Sequence, residues 1–241
     1  MNPGGVQIFG KARSPLKPEV IIMIPVLLFS LSLHEYSHAL AAWWAGDDTA
    51  SRQGRLTMNP ISHIDLMGTI IVPLICLAQS MAGGVPFFFG WAKPVPVNPN
   101  RFRKRYWDVI VSAAGPASNF LLAFIFTLLL KIMYMNPVSA RFSEHLFETL
   151  SLMMYYFIAL NVLLCMFNLL PIPPLDGSHI FFHFFVKPFT RDHPMFKLFV
   201  FMERFGFILL MVIMFVIPSQ VNPFHIMYRA VMWLISLFIV L

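Results

Sequence analysis

Mostly apolar stretches of about twenty residues, with little or no charge, recur along the chain, and nothing else limits its fold so strongly. Val20 to Leu33 contains no Asp, Glu, Lys or Arg. A helix crosses the hydrocarbon of a bilayer with about 20 mostly apolar residues. Runs of that kind lie at roughly 20–42, 109–130, 149–171, 198–217 and 224–241. A sixth apolar stretch, 66–92, is interrupted by Pro73 and Gly83-Gly84. Of the 241 residues, 58% are hydrophobic and 12% charged, and the mean hydropathy is +0.73. A soluble domain carries about 25% charged residues, so too little charge is present to cover a soluble surface. This excludes a soluble enzyme, a disordered chain and a nucleic-acid-binding module. The expected fold is an all-α polytopic membrane protein of about five to six transmembrane helices.

The net charge of +6 then reports topology before partners. Suppose that the first run points inward and that 66–92 leaves and returns on one side. Arg52, Arg55, Lys93, Arg101, Arg103, Lys104, Arg105, Lys187, Arg191, Lys197 and Arg204 then lie inside, eleven cations. Lys11, Arg13, Lys17, Lys131, Arg141 and Arg229 lie outside, six. The positive-inside rule favours this arrangement. The tail, 1–19, lacks the apolar centre of a cleavable signal, so the first run is expected to stay as an anchor. Cys76 and Cys165 sit in apolar stretches with no C-x-x-C spacing, which gives no sign of a disulfide framework.

Residues 34–38 read His34-Glu35-Tyr36-Ser37-His38, an H-E-x-x-H. On a helix, positions i and i+4 share a face. Two imidazoles so placed can hold one Zn²⁺, and the Glu between them can act as general base on a zinc-bound water. Ionisable groups inside a membrane span cost about 2.5–3.5 kcal/mol each on insertion scales and are rarely idle. Three within five positions at ligand spacing point to a metal site.

A catalytic zinc has three protein ligands and one open position. The run 149–171 leads into Asn168-Leu-Leu-Pro171-Ile-Pro173-Pro174-Leu-Asp176-Gly177. Three prolines in four residues stop a helix, and Asp176 follows the break with a flexible glycine behind it. Asp176 is therefore the expected third ligand. His179 and His183 share i, i+4 spacing but no charged residue completes a set, so an interfacial aromatic segment is the expectation there. His63, His145, His193 and His225 read as solitary loop or interface residues.

The ligands must meet at one depth. That requires the first run and 149–171 to be parallel, with only 109–130 between them, and it makes 66–92 an excursion that enters and returns. Pro73 and Gly83-Gly84 supply the breaks for a re-entrant hairpin or an extended return. The charge count and the ligand geometry agree that the site faces the cytoplasm.

With these residues placed, the chain resembles the site-2 protease family of intramembrane zinc metalloproteases, in its compact bacterial type without an appended PDZ or CBS domain. The motifs span most of 20–190. They comprise His34-Glu35-x-x-His38, Gly46-Asp47, Gly54-Arg55-Leu56-Thr57-x-Asn59-Pro60 and His63-Ile64-Asp65. Further on come Gly90-Trp91-Ala92-Lys93-Pro94-Val95-Pro96-Val97-Asn98-Pro99, Ala114-Gly115-Pro116-x-x-Asn119 and Phe167-Asn168-Leu169-Leu170-Pro171 through Asp176-Gly177. Ser178-His179 departs from the Gly-Arg usual in the family. The resemblance implies one Zn²⁺ held by His34, His38 and Asp176, Glu35 as general base, and Asn168 positioning substrate or stabilising the oxyanion. It implies regulated cleavage of transmembrane segments in the cell (inner) membrane, with transmembrane proteins or peptides and the lipid bilayer as partners. The chain divides accordingly into a tail (1–19), a protease core (20–190) and C-terminal transmembrane helices (191–241).

Two segments have readings of their own. Ser112 to Ser118, SAAGPAS, is a run of small residues that lets helix backbones approach closely in lipid. In Lys93-Pro94-Val95-Pro96-Val97 the prolines strip donors from one strand edge and leave those of Val95 and Val97 on the other. The segment is expected to receive an unwound substrate by strand addition, or to serve as a stiff connector. Against a protease stand a catalytically idle client-binding relative, disfavoured by the intact Glu35 and ligands, and a metal transporter, for which no charged path across the spans is evident.

Overall fold

The computed structural model describes residues 18–81, 90–135 and 142–217, with residues 221, 222, 226, 229, 230 and 233. The regular elements among the described residues are all helical, with no strand among them. In chain order the helices are α1 (Pro18–Ala45), α2 (Thr49–Arg52), α3 (Val72–Met81), α4 (Trp107–Tyr134), α5 (Glu144–Asn168), α6 (Asp176–Phe181) and α7 (Pro194–Phe215). Among them α4 and α5 are long and apolar enough to cross a membrane.

Local chemistry sets the helix ends. Ser143 caps α5 by accepting from the Leu146 N–H, and Glu144 sits in the first turn, where the helix dipole favours an acid. The prolines from Pro171 onward prevent its continuation beyond Asn168. His193 caps α7 through Nδ1, with Pro194 at the first helical position.

The core is a bundle of α1, α4 and α5. Ser30 and Phe29 of α1 meet Asn161 and Phe157 of α5, and Leu31 clusters with Leu160 and Leu164. Contacts rise together along both helices, so α1 and α5 run parallel. His34 meets Asn119 while His38 meets Val111, so α4 runs against both. This is the arrangement that the ligand argument requires. In lipid, helices associate by close packing and polar contacts rather than by expelling water. Ala41, Ala42 and Ala45 of α1 accordingly pack on Val111 of α4, and Ser112, Gly115 and Pro116 from the small-residue run are buried.

The stretch from Leu66 corrects one expectation. Pro73 does not break it: a π turn over Leu66–Ile71 runs directly into α3. In a widened turn the Gly68 carbonyl faces position 73, where proline has no N–H to give. That carbonyl instead accepts from the Trp91 N–H at 3.1 Å. The Trp91 carbonyl accepts from Thr69 Oγ1 at 2.9 Å, and Lys93 N–H donates to the His63 carbonyl at 2.9 Å. The two ends of the stretch are thus stitched together. Only glycine fits at 68, because a Cβ would stand 2.4 Å from the Trp91 ring. Gly83-Gly84 and most of 224–241, His225 included, lie outside the described residues.

Candidate metal centre

His34 and His38 lie one turn apart on α1, both buried, on the face turned to α4. Asp176 opens α6 directly after the proline-rich turn. Its Oδ2 is 3.2 Å from His34 Nε2 and 3.3 Å from His38 Nε2, and the two Nε2 atoms are 3.1 Å apart. Gly177 is required by close packing rather than by flexibility, since a Cβ there would stand 2.2 Å from the Leu169 carbonyl oxygen.

The donor set fits a cation. His38 Nδ1 lies 2.7 Å from the Val111 carbonyl, which can only accept, so Nδ1 carries the proton and Nε2 presents its lone pair. Asp176 Oδ2 is buried and has no hydrogen-bond partner among the described residues. Acceptors converging on one point repel one another until a positive charge enters. Two imidazole nitrogens and one carboxylate oxygen suit zinc. Gly115 of α4 keeps the point clear: a Cβ there would stand 2.3 Å from His38 Nε2 and 2.6 Å from His34 Nε2.

Glu35 is buried beside the ligands, and its Oε2 accepts from the Val95 N–H at 2.8 Å. The donor expected to await a substrate strand is therefore given to Glu35. The segment carrying it is extended and anchored at both ends. Arg55 Nη2 donates to the Lys93 carbonyl at 2.7 Å and to that of Pro94 at 3.3 Å. Asp47, buried, accepts from the Asn98 N–H at 2.6 Å.

A cavity of about 490 Å³ opens onto the cluster, lined by His34, Glu35, His38, Val95, Asn168, Asp176 and His179 among others. Asn168 reaches it from the last residue of α5, with its amide donating to the Leu164 carbonyl at 3.0 Å. His179 faces the cavity, and Ser178 is buried with Oγ on the Leu175 carbonyl, so the Ser-His departure packs tightly against the ligand turn. His183 Nδ1 is 3.9 Å from Asp108 Oδ2 and belongs to no ligand cluster among the described residues, while Phe184 and Phe185 beside it are exposed. His63 ends the short helical turn Pro60–His63. It is buried, with Nε2 donating to the Thr57 carbonyl at 2.8 Å. His145 lies in the first turn of α5, and His193 caps α7.

Behind the site stand Asn119, which belongs to a motif but has no role assigned by it, and Asn161 and Ser30, which no motif contains. Asn119 Oδ1 lies 2.6 Å from His34 Nδ1, Asn119 Nδ2 donates to Asn161 Oδ1 at 2.8 Å, and Asn161 Nδ2 donates to Ser30 Oγ at 2.8 Å. The available signal was an amide at 161 in an otherwise apolar run, seven residues before Asn168 and hence on a similar helix face.

A buried pair of histidines and a carboxylate, with a glutamate alongside and long apolar helices around them, define a membrane-type metalloprotease. The chain belongs to peptidase family M50, whose model matches residues 22–213, and the resemblance to site-2 proteases holds. It is 46% identical over 168 residues to the provisionally named zinc metalloprotease YwhC of Bacillus subtilis, covering 68% of each chain. It is 34% identical over 162 residues to a similarly named protein, Rip2, of Mycolicibacterium smegmatis, covering 65% of this chain and 54% of that one. Rip2 of Mycobacterium tuberculosis is 28% identical over 160 residues, with 65% and 54% covered. The match thus spans about half the length of the two Rip2 proteins. No solved structure matches.

Proposed function

We propose that the chain is an intramembrane zinc metalloendopeptidase that cuts peptide bonds within transmembrane segments. The observation that carries this reading is the convergence of His34, His38 and Asp176 beside Glu35, on a cavity between apolar helices. His34 and His38 through Nε2, and Asp176 through Oδ2, would hold the metal. Bound there, zinc would polarise the scissile carbonyl and acidify the attacking water.

The chain's own groups do the rest. Glu35 Oε2 is held by Val95, which fixes the carboxylate and leaves Oε1 to take the proton of the attacking water. The proton then passes to the leaving amine. Asn168, at the cavity wall, donates a hydrogen bond to the oxyanion or to the substrate backbone. The substrate must unwind locally, because an intact helix keeps its carbonyls in i to i−4 hydrogen bonds.

The same reading takes the protein as multi-pass in the cell membrane, with five to six spans and the site toward the cytoplasm. The protease core occupies 20–190, and transmembrane helices follow it. The stitching of Trp91 to Gly68 and Thr69 supports a re-entrant 66–92. Positive-inside counting supports the orientation. The test is cleavage of a single-span substrate co-reconstituted in vesicles, with the cut mapped by mass spectrometry. A cut inside the apolar segment supports the proposal. Cuts confined to flanking soluble loops refute it.

A further inference from the structure

The hydrogen bonds behind His34 point to Asn161 as a positioning residue that decides which nitrogen of His34 faces the metal position; this rests on the reading of His34 as a zinc ligand. The chain of contacts runs from His34 Nδ1 to Asn119 Oδ1, from Asn119 Nδ2 to Asn161 Oδ1, and from Asn161 Nδ2 to Ser30 Oγ and the Phe157 carbonyl, the last at 2.8 Å. Ser30, Asn119 and Asn161 are each 0% exposed, so bulk water cannot substitute for any link.

An amide has nearly the same outline either way round. Its orientation must come from a partner that accepts or donates but not both. The Phe157 carbonyl is such a partner, because it can only accept. It requires the NH₂ of Asn161, and turning that amide over would set two acceptor oxygens against each other in a buried site. With its NH₂ committed, Asn161 presents Oδ1 to Asn119. Asn119 must then give its NH₂ to Asn161 and its Oδ1 to His34. An acceptor against Nδ1 puts the ring proton there and leaves the lone pair on Nε2, the atom 3.2 Å from Asp176. A backbone carbonyl of α5 thus orients a ligand of α1 through two amides. His38 obtains the same tautomer directly from the Val111 carbonyl. Asn161 touches neither metal nor substrate in this scheme.

The test uses the full chain in detergent, metal-stripped and labelled with ¹⁵N-histidine, at about pH 10, well above the ordinary imidazole range. The His34 signals are identified by their loss in His34→Phe. Wild type is expected to show His34 protonated on Nδ1. Asn161→Leu is expected to show mixed tautomers and, by chelator competition, zinc affinity lowered about 10- to 100-fold. Ser30→Ala keeps the Phe157 carbonyl and is expected to keep both tautomer and affinity near wild type. His34 protonated on Nε2 in wild type would overturn the inference, as would an unchanged tautomer and affinity in Asn161→Leu. If Asn161→Leu does not fold, the wild-type tautomer and Ser30→Ala still decide. If wild type binds no zinc, the protease reading fails while the tautomer still tests the relay.

Discussion

Gly115 stands so close to His38 that a single added methyl would lie 2.3 Å from the imidazole Nε2. The neighbours on that side are ligand atoms held by their own hydrogen bonds, so they have little room to yield. Gly115→Ala is therefore expected to expel the metal and leave the helices packed. Metal analysis of the purified variant should find little zinc, and cleavage should fall at least about 100-fold, the scale of losing a positioned catalytic element. Stoichiometric zinc with full activity would show that the ligands do not meet where Gly115 leaves space.

Gly206 of α7 carries a similar constraint for the third ligand. A Cβ there would lie 2.1 Å from the Pro173 carbonyl, which is backbone and cannot swing aside. Gly206→Val should push α7 off the proline-rich turn and displace Asp176. Chelator competition should show weaker zinc binding, with far-UV circular dichroism unchanged. Wild-type affinity would mean that α7 does not support that turn.

Asp47 and Asp48 are adjacent but should differ in weight. Asp47 is buried and accepts from the N–H groups of Thr49 and Asn98 at 3.1 and 2.6 Å. Asp47→Ala leaves those donors unpaired, which costs about 1–3 kcal/mol. It also loosens the segment that brings Val95 to Glu35, so thermal stability and kcat should fall together. Asp48 is paired with Arg52 and Arg101 at the surface. Desolvation works against its ionisation, but the Arg52 hydrogen bond and the two guanidinium charges outweigh it and hold the carboxyl below its ordinary range. A depressed carboxyl adds stability above about pH 4, and that stability is lost as acidification carries the pH through the folded value. At so exposed a position solvent screens the effect. Asp48→Asn should therefore shift the neutral-pH melting temperature far less than Asp47→Ala.

Asn168 lines the cavity without joining the metal ligands. Asn168→Ala should retain zinc and lower kcat about 10²- to 10³-fold, as loss of an oxyanion donor does. A change in zinc content with kcat unaltered would place Asn168 elsewhere in the mechanism.

The sequence carried the ligand set because a bilayer makes polar residues conspicuous. His34, Glu35 and His38 end an uncharged run, and Asp176 follows a helix stop that proline chemistry dictates. The parallel course of α1 and α5 then followed from requiring the ligands to meet. The effect of Pro73 was not legible. Its consequence depends on whether a distant donor can satisfy the carbonyl it frees, and Trp91 is 23 residues beyond Gly68. The partner of Val95 was hidden for the same reason: alternation of prolines shows which N–H groups survive but not what they meet. Asn119 stood within a motif and Asn161 within an apolar run, yet their link exists only once α4 and α5 are side by side.

The most direct test compares wild type and Glu35→Gln, purified and reconstituted, for zinc per chain and for cleavage of a transmembrane substrate. Wild type should hold one zinc and cleave, lose cleavage on chelation and regain it on zinc addition. Glu35→Gln should hold one zinc and lose about 10²- to 10⁴-fold in cleavage. Undiminished cleavage by Glu35→Gln, or by wild type after complete metal removal, would contradict the account.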